Sequence, residues 1–463
     1  MSLVIHDATI VTADAGRRVL PGQAIVIEDD RITAIGESDR LLTEHPDAER
    51  IDGRGQAVMP GFANCHTHFG LTLSRGIQED FSFPTTLKFP KAIDSYLTDD
   101  ERTVMAQLGA LESIRSGTTA PFEISRNIEV YARAMADTGL RISLGEAVHD
   151  LDQRKAVWED VFEFDVARGE AGLEKIESLY EKFDGAADGR VRVVPAAHAP
   201  EAVSPGLLRK VRDLAERWDR PSTIHLNQSW WEVEAVRNTR GVLPTEYLFQ
   251  HDFLWDRMIG GHCRCMATQE IALFGRAHGI VSFNSAIAAR RGYSVRAGDL
   301  EAAGATLVMG SDNMAEDMVE VMRTGLFMER VRTGDGERPT PEDVLQWATA
   351  NGHRALGLEE SGTLEVSKKA DLILVATQRA HLVPSMRFVS AFVHQGTPAD
   401  VRSVMVDGRW LMRDGVVLTM DEPAIIAEAD RIGRSAWGRL LAEYPDVPFP
   451  IALDTRDLTT GDA

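Results

Sequence analysis

Short apolar segments alternate with amphipathic stretches from residue 59 to about residue 355, and this alternation leaves few folds open. Residues 140–148 (LRISLGEAV), 191–197 (VRVVPAA), 222–226 (STIHL), 258–262 (MIGGH), 279–283 (GIVSF) and 305–311 (ATLVMGS) read as buried strands. Helical patterns fall between them, for example over 204–218 and 267–278. Thr98 followed by Glu101 has the form of a capping box, opening a helix that Gly117 stops. Repeated β–α units over about 300 residues predict an α/β chain whose parallel strands close into a (β/α)8 barrel of the TIM type.

Both ends of the chain read differently. Residues 3–12, 24–27 and 31–35 are short β segments, and so are 371–376, 402–406, 409–412 and 416–419. Val406-Asp407-Gly408-Arg409 carries the Asp-Gly signal of a tight hairpin. The simplest geometry pairs the two ends into one small β-sandwich domain beside the barrel. The expected division is 1–58 and 360–421 for that domain, 59–359 for the barrel, and 422–463 for a C-terminal helix (about 422–443) and tail.

A formal charge of −21 over 463 residues argues against binding nucleic acid or an anionic membrane surface. It leaves the polarity of a local pocket open. Three cysteines (Cys65, Cys263 and Cys265) are too few for a disulfide framework and read as small buried thiols. No apolar run reaches the roughly 18 residues that a membrane span needs, and MSLVIHDATIV has no signal-peptide pattern. A cytoplasmic protein is the default expectation.

The chemistry gathers at strand ends. His66-Thr67-His68, His198, His225, His262 and Gly310-Ser311-Asp312 each fall at the end of a predicted barrel strand, where barrel enzymes build their sites. In a strand, residues i and i+2 face the same side, so His66 and His68 can address one ion. Neutral imidazoles and a carboxylate suit zinc or ferrous iron. Three histidines and one aspartate leave a position for water.

These motifs carry a resemblance. Pro60-Gly61-Phe62-Ala63-Asn64-Cys65-His66-Thr67-His68, His262-Cys263, Gly310-Ser311-Asp312 and the stretch from Gly362 to Leu372 (GTLEVSKKADL) resemble the amidohydrolase superfamily, in its cytosine-deaminase-like and triazine-hydrolase-like branch. The likeness runs from about residue 3 to 420. It implies that His66, His68, His225 and Asp312 bind one divalent metal ion, Zn2+ or alternatively Fe2+, that activates water. It further implies that Asp312 moves the water's proton, that His262 orients the nucleophile, and that His198 contacts substrate. Binuclear relatives bridge their metals with a lysine on the fourth strand. Residues 140–148 and 191–197 contain none, so a mononuclear site is expected. Relatives also imply a homo-oligomer, dimer or larger.

Two departures separate this chain from the deaminase pattern. Where deaminases carry a glutamate three residues after the fifth-strand histidine, this sequence has Gln228, which hydrogen-bonds but cannot act as a general acid or base. A proton source must then be sought elsewhere, with Glu232, Glu234 and His198 as candidates. Downstream of the sixth strand, residues 282–292 (SFNSAIAARRG) replace a His-Asn-Pro-type loop. Arg290 or Arg291 there can grip a substrate carboxylate or simply balance an acidic surface. Asn313 reads either as a substrate contact or as the cap of the following helix, whose early Glu316 and Asp317 suit a helix N-terminus. Trp230, with Trp231, reads as a wall for an aromatic substrate or as core. His149, His278 and His353 have no metal-type partner in sequence and read as structural or exposed.

The leading expectation is hydrolytic deamination of a small aminated N-heterocycle: a purine, pteridine, pyrimidine or triazine. The alternatives are hydrolysis of a cyclic amide or amidine, or of an aryl–halide or aryl–amine bond, without ring protonation. A catalytically silent metal- or ligand-binding protein is the alternative of another class.

Overall fold

Eight parallel strands form the barrel, and almost all of their residues are buried on both faces, as a helix-covered parallel sheet requires. They are Phe62–Thr67, Thr118–Ser125, Ser143–Val148, the split pair Arg192–Val193 and Ala196–Ala197, Ser222–Leu226, Met258–His262, Ile280–Phe283 and Thr306–Met309. The computed structural model describes residues 2–80, 89 and 91–446. Each strand pairs with the next in chain order. The seam between last and first closes just past the eighth strand, where the Asp312 N–H donates to the His66 carbonyl at 2.9 Å and the His68 N–H donates to the Asp312 carbonyl at 3.0 Å. Inward-facing Ala63, Ala120, Phe122, Ile124, Ile259 and Val308 fill one core, and the other face of the strands packs under the helices.

The second barrel strand, Thr118–Ser125, is absent from the sequence expectation. Pro121 lies inside it, and a proline argues against an interior strand because it has no N–H to pair. The ladder accommodates it at an irregular stretch, where Asn64 stands opposite Pro121 and the register shifts on either side. Residues 282–292 begin inside the seventh strand, Ile280–Phe283, and run on through the helix Ser285–Arg290.

Local chemistry sets the helix ends. Thr98 and Glu101 form the reciprocal capping box at 3.2 and 2.9 Å, and Gly117 ends the helix Asp99–Ser116 at φ 92°. Such a cap contributes about 1 kcal/mol. Asp317 caps Met318–Thr333 by accepting from the N–H groups of Val319 and Glu320, so Asn313 does not serve as that cap.

Both chain ends join in a nine-stranded sheet. Its two halves meet where Gln56–Pro60 runs antiparallel to Leu372–Ala376, with Met59 opposite Ile373. Side chains alternate there: Leu372 and Leu374 face the domain's own core, whereas Ile373 and Val375 face the barrel layer. Asp407 and Gly408 take φ of 49° and 69°, the paired left-handed conformation of a tight hairpin. A buried ion pair ties this domain to the barrel, since Arg141 grips Asp371 at 2.6 and 3.1 Å and also reaches Asp407. The terminal helix Glu422–Glu443 packs Ile432, Trp437 and Leu440 on Leu73, Phe89 and Met105, and Trp437 Nε1 donates to the Leu73 carbonyl at 2.8 Å. It thereby buttresses the turn that follows His68. No helix among the described residues is long and apolar enough to cross a membrane.

Candidate metal centre and cavity

The closed seam brings Asp312 beside His66 and His68, and the fifth and sixth strands deliver His225 and His262 to the same point. Potential ligand atoms of His66, His225 and His262 lie within 4.8 Å of one another, as do those of His66, His68 and Asp312. His68 Nε2 is 3.3 Å from Asp312 Oδ1 and 3.2 Å from His225 Nε2. His66 Nε2 and His262 Nδ1 each lie 3.9 Å from an Asp312 oxygen.

Backbone carbonyls set the tautomers. His225 Nδ1 bonds the His198 carbonyl at 2.7 Å, and His68 Nδ1 bonds the Ile124 carbonyl. Each Nδ1 then carries the proton and each Nε2 presents a lone pair, the arrangement of a metal-binding imidazole. Two such lone pairs facing each other at 3.2 Å repel unless a cation lies between them. His66 is fully buried, and neither of its ring nitrogens has a hydrogen-bond partner. Its ring fits only because of the two glycines beside it: a Cβ on Gly261 would lie 2.7 Å from His66 Cε1, and one on Gly310 would lie 2.9 Å from His66 Cβ. This donor set, with its orphaned nitrogens, fits a divalent metal ion.

Electrostatics agree with that fit except at His68, which burial would lower but the adjacent Asp312 carboxylate raises. Burial, reinforced by the neighbouring imidazoles, holds His66 well below its ordinary value. Burial likewise holds His262 well down and brings His225 to about 4. Burial alone would raise Asp312, but the imidazoles of His262, His68 and His66 outweigh it and keep the carboxylate ionised. Asp312 and His262 also take left-handed φ of 70° and 80°, uncommon for residues with a Cβ and frequent at active sites.

A cavity of about 430 Å³ opens above these groups. Gln228, His198 and Asn313 line it, together with His68, His225, His262 and Asp312. Two sequence candidates stand elsewhere. Arg290 does not line the cavity, and its guanidinium is held at 2.6 Å by Glu320 on the helix Met318–Thr333. Trp230 is 57% exposed, and its neighbour Trp231 forms the wall instead. Both tryptophans open the helix Trp230–Arg240, which Ser229 caps by accepting from the Glu232 N–H. His149, read as structural or exposed, lines the cavity beside His198, and burial with Arg126 and Arg168 pushes it down to about 4. His353 is buried, its Nδ1 paired with the Thr349 carbonyl, and His278 bonds the Gly304 carbonyl at the surface. All three cysteines are buried free thiols.

Several residues were missed in sequence. Glu316 lies under the site, where its Oε2 accepts from Thr67, Ser311 and Asn64 at 2.6, 2.5 and 3.1 Å and so ties the first strand to the Asp312 turn. Burial pushes its carboxyl up to about 8. Glu123, in the unpredicted second strand, receives the Phe69 N–H at 2.7 Å and fixes the chain just after His68. Glu201 lines the cavity while 1% exposed. The rim is basic in a very acidic protein, with Lys91, Arg102, Arg126, Arg154 and Arg168 all lining it. Local acidity around each carboxylate in the sequence gave no sign of these placements.

The amidohydrolase family profile matches residues 57–411, and a bacterial imidazolonepropionase-like composite domain matches residues 24–48. A 5'-deoxyadenosine deaminase of Methanosarcina acetivorans is 32% identical over 434 residues, covering 92% of this chain and 96% of that protein. A 5-methylthioadenosine/S-adenosylhomocysteine deaminase of Desulforamulus reducens is 30% identical over 445 residues, covering 94% and 99%. Among solved structures, an adenosine deaminase from Xanthomonas campestris with bound zinc superposes with a TM-score of 0.86 at 23% identity, covering 95% and 98%. The atrazine chlorohydrolase of Arthrobacter aurescens complexed with zinc gives 0.84 at 20% identity, covering 93% and 100%. At these identities the structural matches establish the shared fold.

Proposed function

The chain belongs to the amidohydrolase family, and from that premise we propose that it is a mononuclear metal-dependent hydrolase that deaminates an aminated N-heterocycle. In this reading His66, His68, His225 and Asp312 hold the metal, and zinc is the ion we assign. The nitrogen-rich donor set supports zinc, as does the zinc in two solved structures of the same fold. A bound divalent ion makes water nucleophilic near neutral pH.

The chain's own residues do the rest. Asp312 takes a proton from the attacking water and returns it to the departing amine. His262, neutral and 3.9 Å from Asp312, orients the water. His198, Asn313 and the Gln228 amide meet the polar edge of the ring, and Trp231 offers it an apolar wall. The basic rim suits a substrate with an anionic substituent. Arg126 makes no hydrogen bond or ion pair among the described residues, and Arg154 is depressed by burial and by the charge of Arg126.

One observation carries this reading: four ligand-capable side chains from three separate strand ends converge beneath a cavity, in a chain about 30% identical to deaminases over nearly its whole length. The test is ammonia release by the metal-loaded protein from a panel of aminated purines, pyrimidines, pteridines and triazines. Turnover of a cyclic amide with no ammonia from any panel member rejects the deaminase. A homo-oligomer belongs to the same reading, and sedimentation velocity tests it.

A further inference from the structure

Gln228 leaves the deaminase reading without a general acid for the ring nitrogen. The carboxyls proposed from sequence do not fill that gap. Both oxygens of Glu232 are consumed by the N–H groups of Asn227 and Gln228, at 2.7 and 2.8 Å, and its side chain does not line the cavity. Glu234 is exposed on the helix Trp230–Arg240. His198 is held well below its ordinary value by burial and by His225, so it is neutral and has no acidic proton to give.

Among the described residues, four carboxyl groups line the cavity: Asp94, Asp152, Glu201 and Asp312. Asp94 pairs with Arg102 at 3.3 Å. Asp152 caps the helix Gln153–Glu159 and meets Arg168. Asp312 belongs to the metal centre. Glu201 differs from all three. It is 1% exposed, its Oε1 accepts from Gln153 Nε2 at 3.0 Å, and its Oε2 is buried with no hydrogen-bond partner. A buried carboxylate with one oxygen unsatisfied is costly, and protonation or a ligand removes the cost. It follows the fourth strand, three residues after His198. Gln228, Ser229 and Trp231, which follow the adjacent fifth strand, share its wall.

We propose that Glu201 is the general acid of this enzyme, protonating the substrate's ring nitrogen in the role that a carboxyl at position 228 would otherwise fill. This rests on the deaminase reading. As water adds, the C–O bond forms, the adjacent C=N electron pair moves to the ring nitrogen, and that nitrogen takes the Glu201 proton. Asp312 receives the water's proton and passes it to the amino group. The C–N bond breaks, ammonia leaves, and the remaining hydroxyl proton returns to Glu201 as the carbonyl forms. Both carboxyls end as they began. Burial pushes Glu201 up to about 7, so a useful fraction is protonated at neutral pH. The charged groups facing it are Glu232, which burial and the charge of Glu201 hold well above its own ordinary value, and Arg240, which lowers Glu201 and partly offsets burial.

The experiment compares the metal-loaded wild type with Glu201→Gln, Gln228→Glu and the double variant, reading ammonia release from 5'-deoxyadenosine and the heterocycle panel. Glu201→Gln is expected to lose about 10²–10⁴-fold in kcat with KM changed only a few-fold. Adding Gln228→Glu to it is expected to recover at least about tenfold, because the second carboxyl replaces the first. Wild-type kcat is expected to fall as pH rises through about 7, with a midpoint insensitive to temperature, as a carboxyl's is and an imidazole's is not. That last measurement stands even if Glu201→Gln fails to fold or to hold metal. Wild-type kcat in Glu201→Gln overturns the inference and leaves the deaminase reading intact. So does a folded, metal-replete Glu201→Gln that Gln228→Glu does not rescue, or a wild-type profile without that limb. No ammonia from the wild type on any panel member overturns both.

Discussion

The peptide N–H of Asp312 donates to the carbonyl of His66 at 2.9 Å, so the hydrogen bond that helps to close the barrel also sets the distance between two of the proposed metal ligands. Backbone geometry positions Asp312, and its carboxylate is left for chemistry. Asp312→Asn keeps the closing hydrogen bonds and the side-chain shape but removes the charge and the proton acceptor. It is expected to lower kcat by about 10²–10⁴-fold while the far-ultraviolet spectrum and the melting cooperativity stay those of the wild type. Unchanged turnover in a metal-replete Asp312→Asn protein rejects the assigned role.

Metal removal should destabilise the fold as well as silence it. Without a cation, His68 and His225 face each other at 3.2 Å, and the buried His66 ring keeps two unpartnered nitrogens. An ion that binds only the folded state stabilises it by about 4 kcal/mol at a thousandfold excess over its Kd. Exhaustive chelation is therefore expected to abolish activity and lower the melting temperature by several degrees. Zn2+ or Fe2+ should restore both, and Mg2+ neither, because imidazole suits the softer ions. Melting curves that coincide with and without chelator, at one measured equivalent of metal, reject a site of this kind.

The cluster of candidate metal ligands was legible in the sequence because its signals are periodic or positional. His66 and His68 share a face by the two-residue period of a strand, and strand ends in a barrel converge whatever their spacing along the chain. The pairing of the two chain ends was legible from their shared β character, and Gln56–Pro60 against Leu372–Ala376 is its realisation. What escaped depends on neighbours distant in sequence. Pro121 hid a barrel strand because its tolerance rests on an irregular ladder with the first strand. Arg290 pairs with Glu320, thirty residues on, and lies off the cavity. Trp230 and Trp231 are adjacent on one helix, so its rotational phase decides between solvent and cavity. Glu201 and Glu316 carry no motif, and only burial distinguishes them from surface acids.

Glu316 should make stability depend on pH. Its buried carboxyl titrates near 8, whereas in the unfolded chain it titrates near the ordinary glutamate value of 4.5. Between these values the folded state holds a proton that the unfolded state has lost, so raising the pH weakens the fold. The contribution is fully present below about 4.5 and is lost as pH climbs toward 8, at no more than about 1.4 kcal/mol per pH unit for one group. Glu316→Gln keeps a neutral group of the same shape. It is expected to unfold at nearly the wild-type temperature at about pH 4.5 and to show a shallower decline between there and pH 8. Glu316→Ala removes the acceptor shared by Asn64, Thr67 and Ser311 and should destabilise at both pH values by about 1–3 kcal/mol. Parallel wild-type and Glu316→Gln melting profiles across that range exclude the linkage.

The basic rim makes the last prediction, which concerns substrate charge. Arg126 is exposed at the mouth of the cavity with no partner among the described residues, and Arg154, half-buried beside it, feels its charge. Arg154 is partly balanced by Asp94 and Asp152, but an anion placed between it and Arg126 would be favourable. Two aminated heterocycles that differ only by an anionic substituent separate this effect from ring recognition. Arg126→Ala is expected to raise KM for the anionic one by about tenfold, the order of one charge-assisted hydrogen bond, and to leave KM for the neutral one within about twofold. The wild-type KM for the anionic compound should also climb with ionic strength, because an exposed charge is screened over about 10 Å at 0.1 M salt, and that dependence should flatten in Arg126→Ala. Because Arg126 stands at the rim and Asp312 at the floor, kcat on both compounds should hold. Equal KM changes for the two compounds, or no change for either, would show that the rim does not read substrate charge.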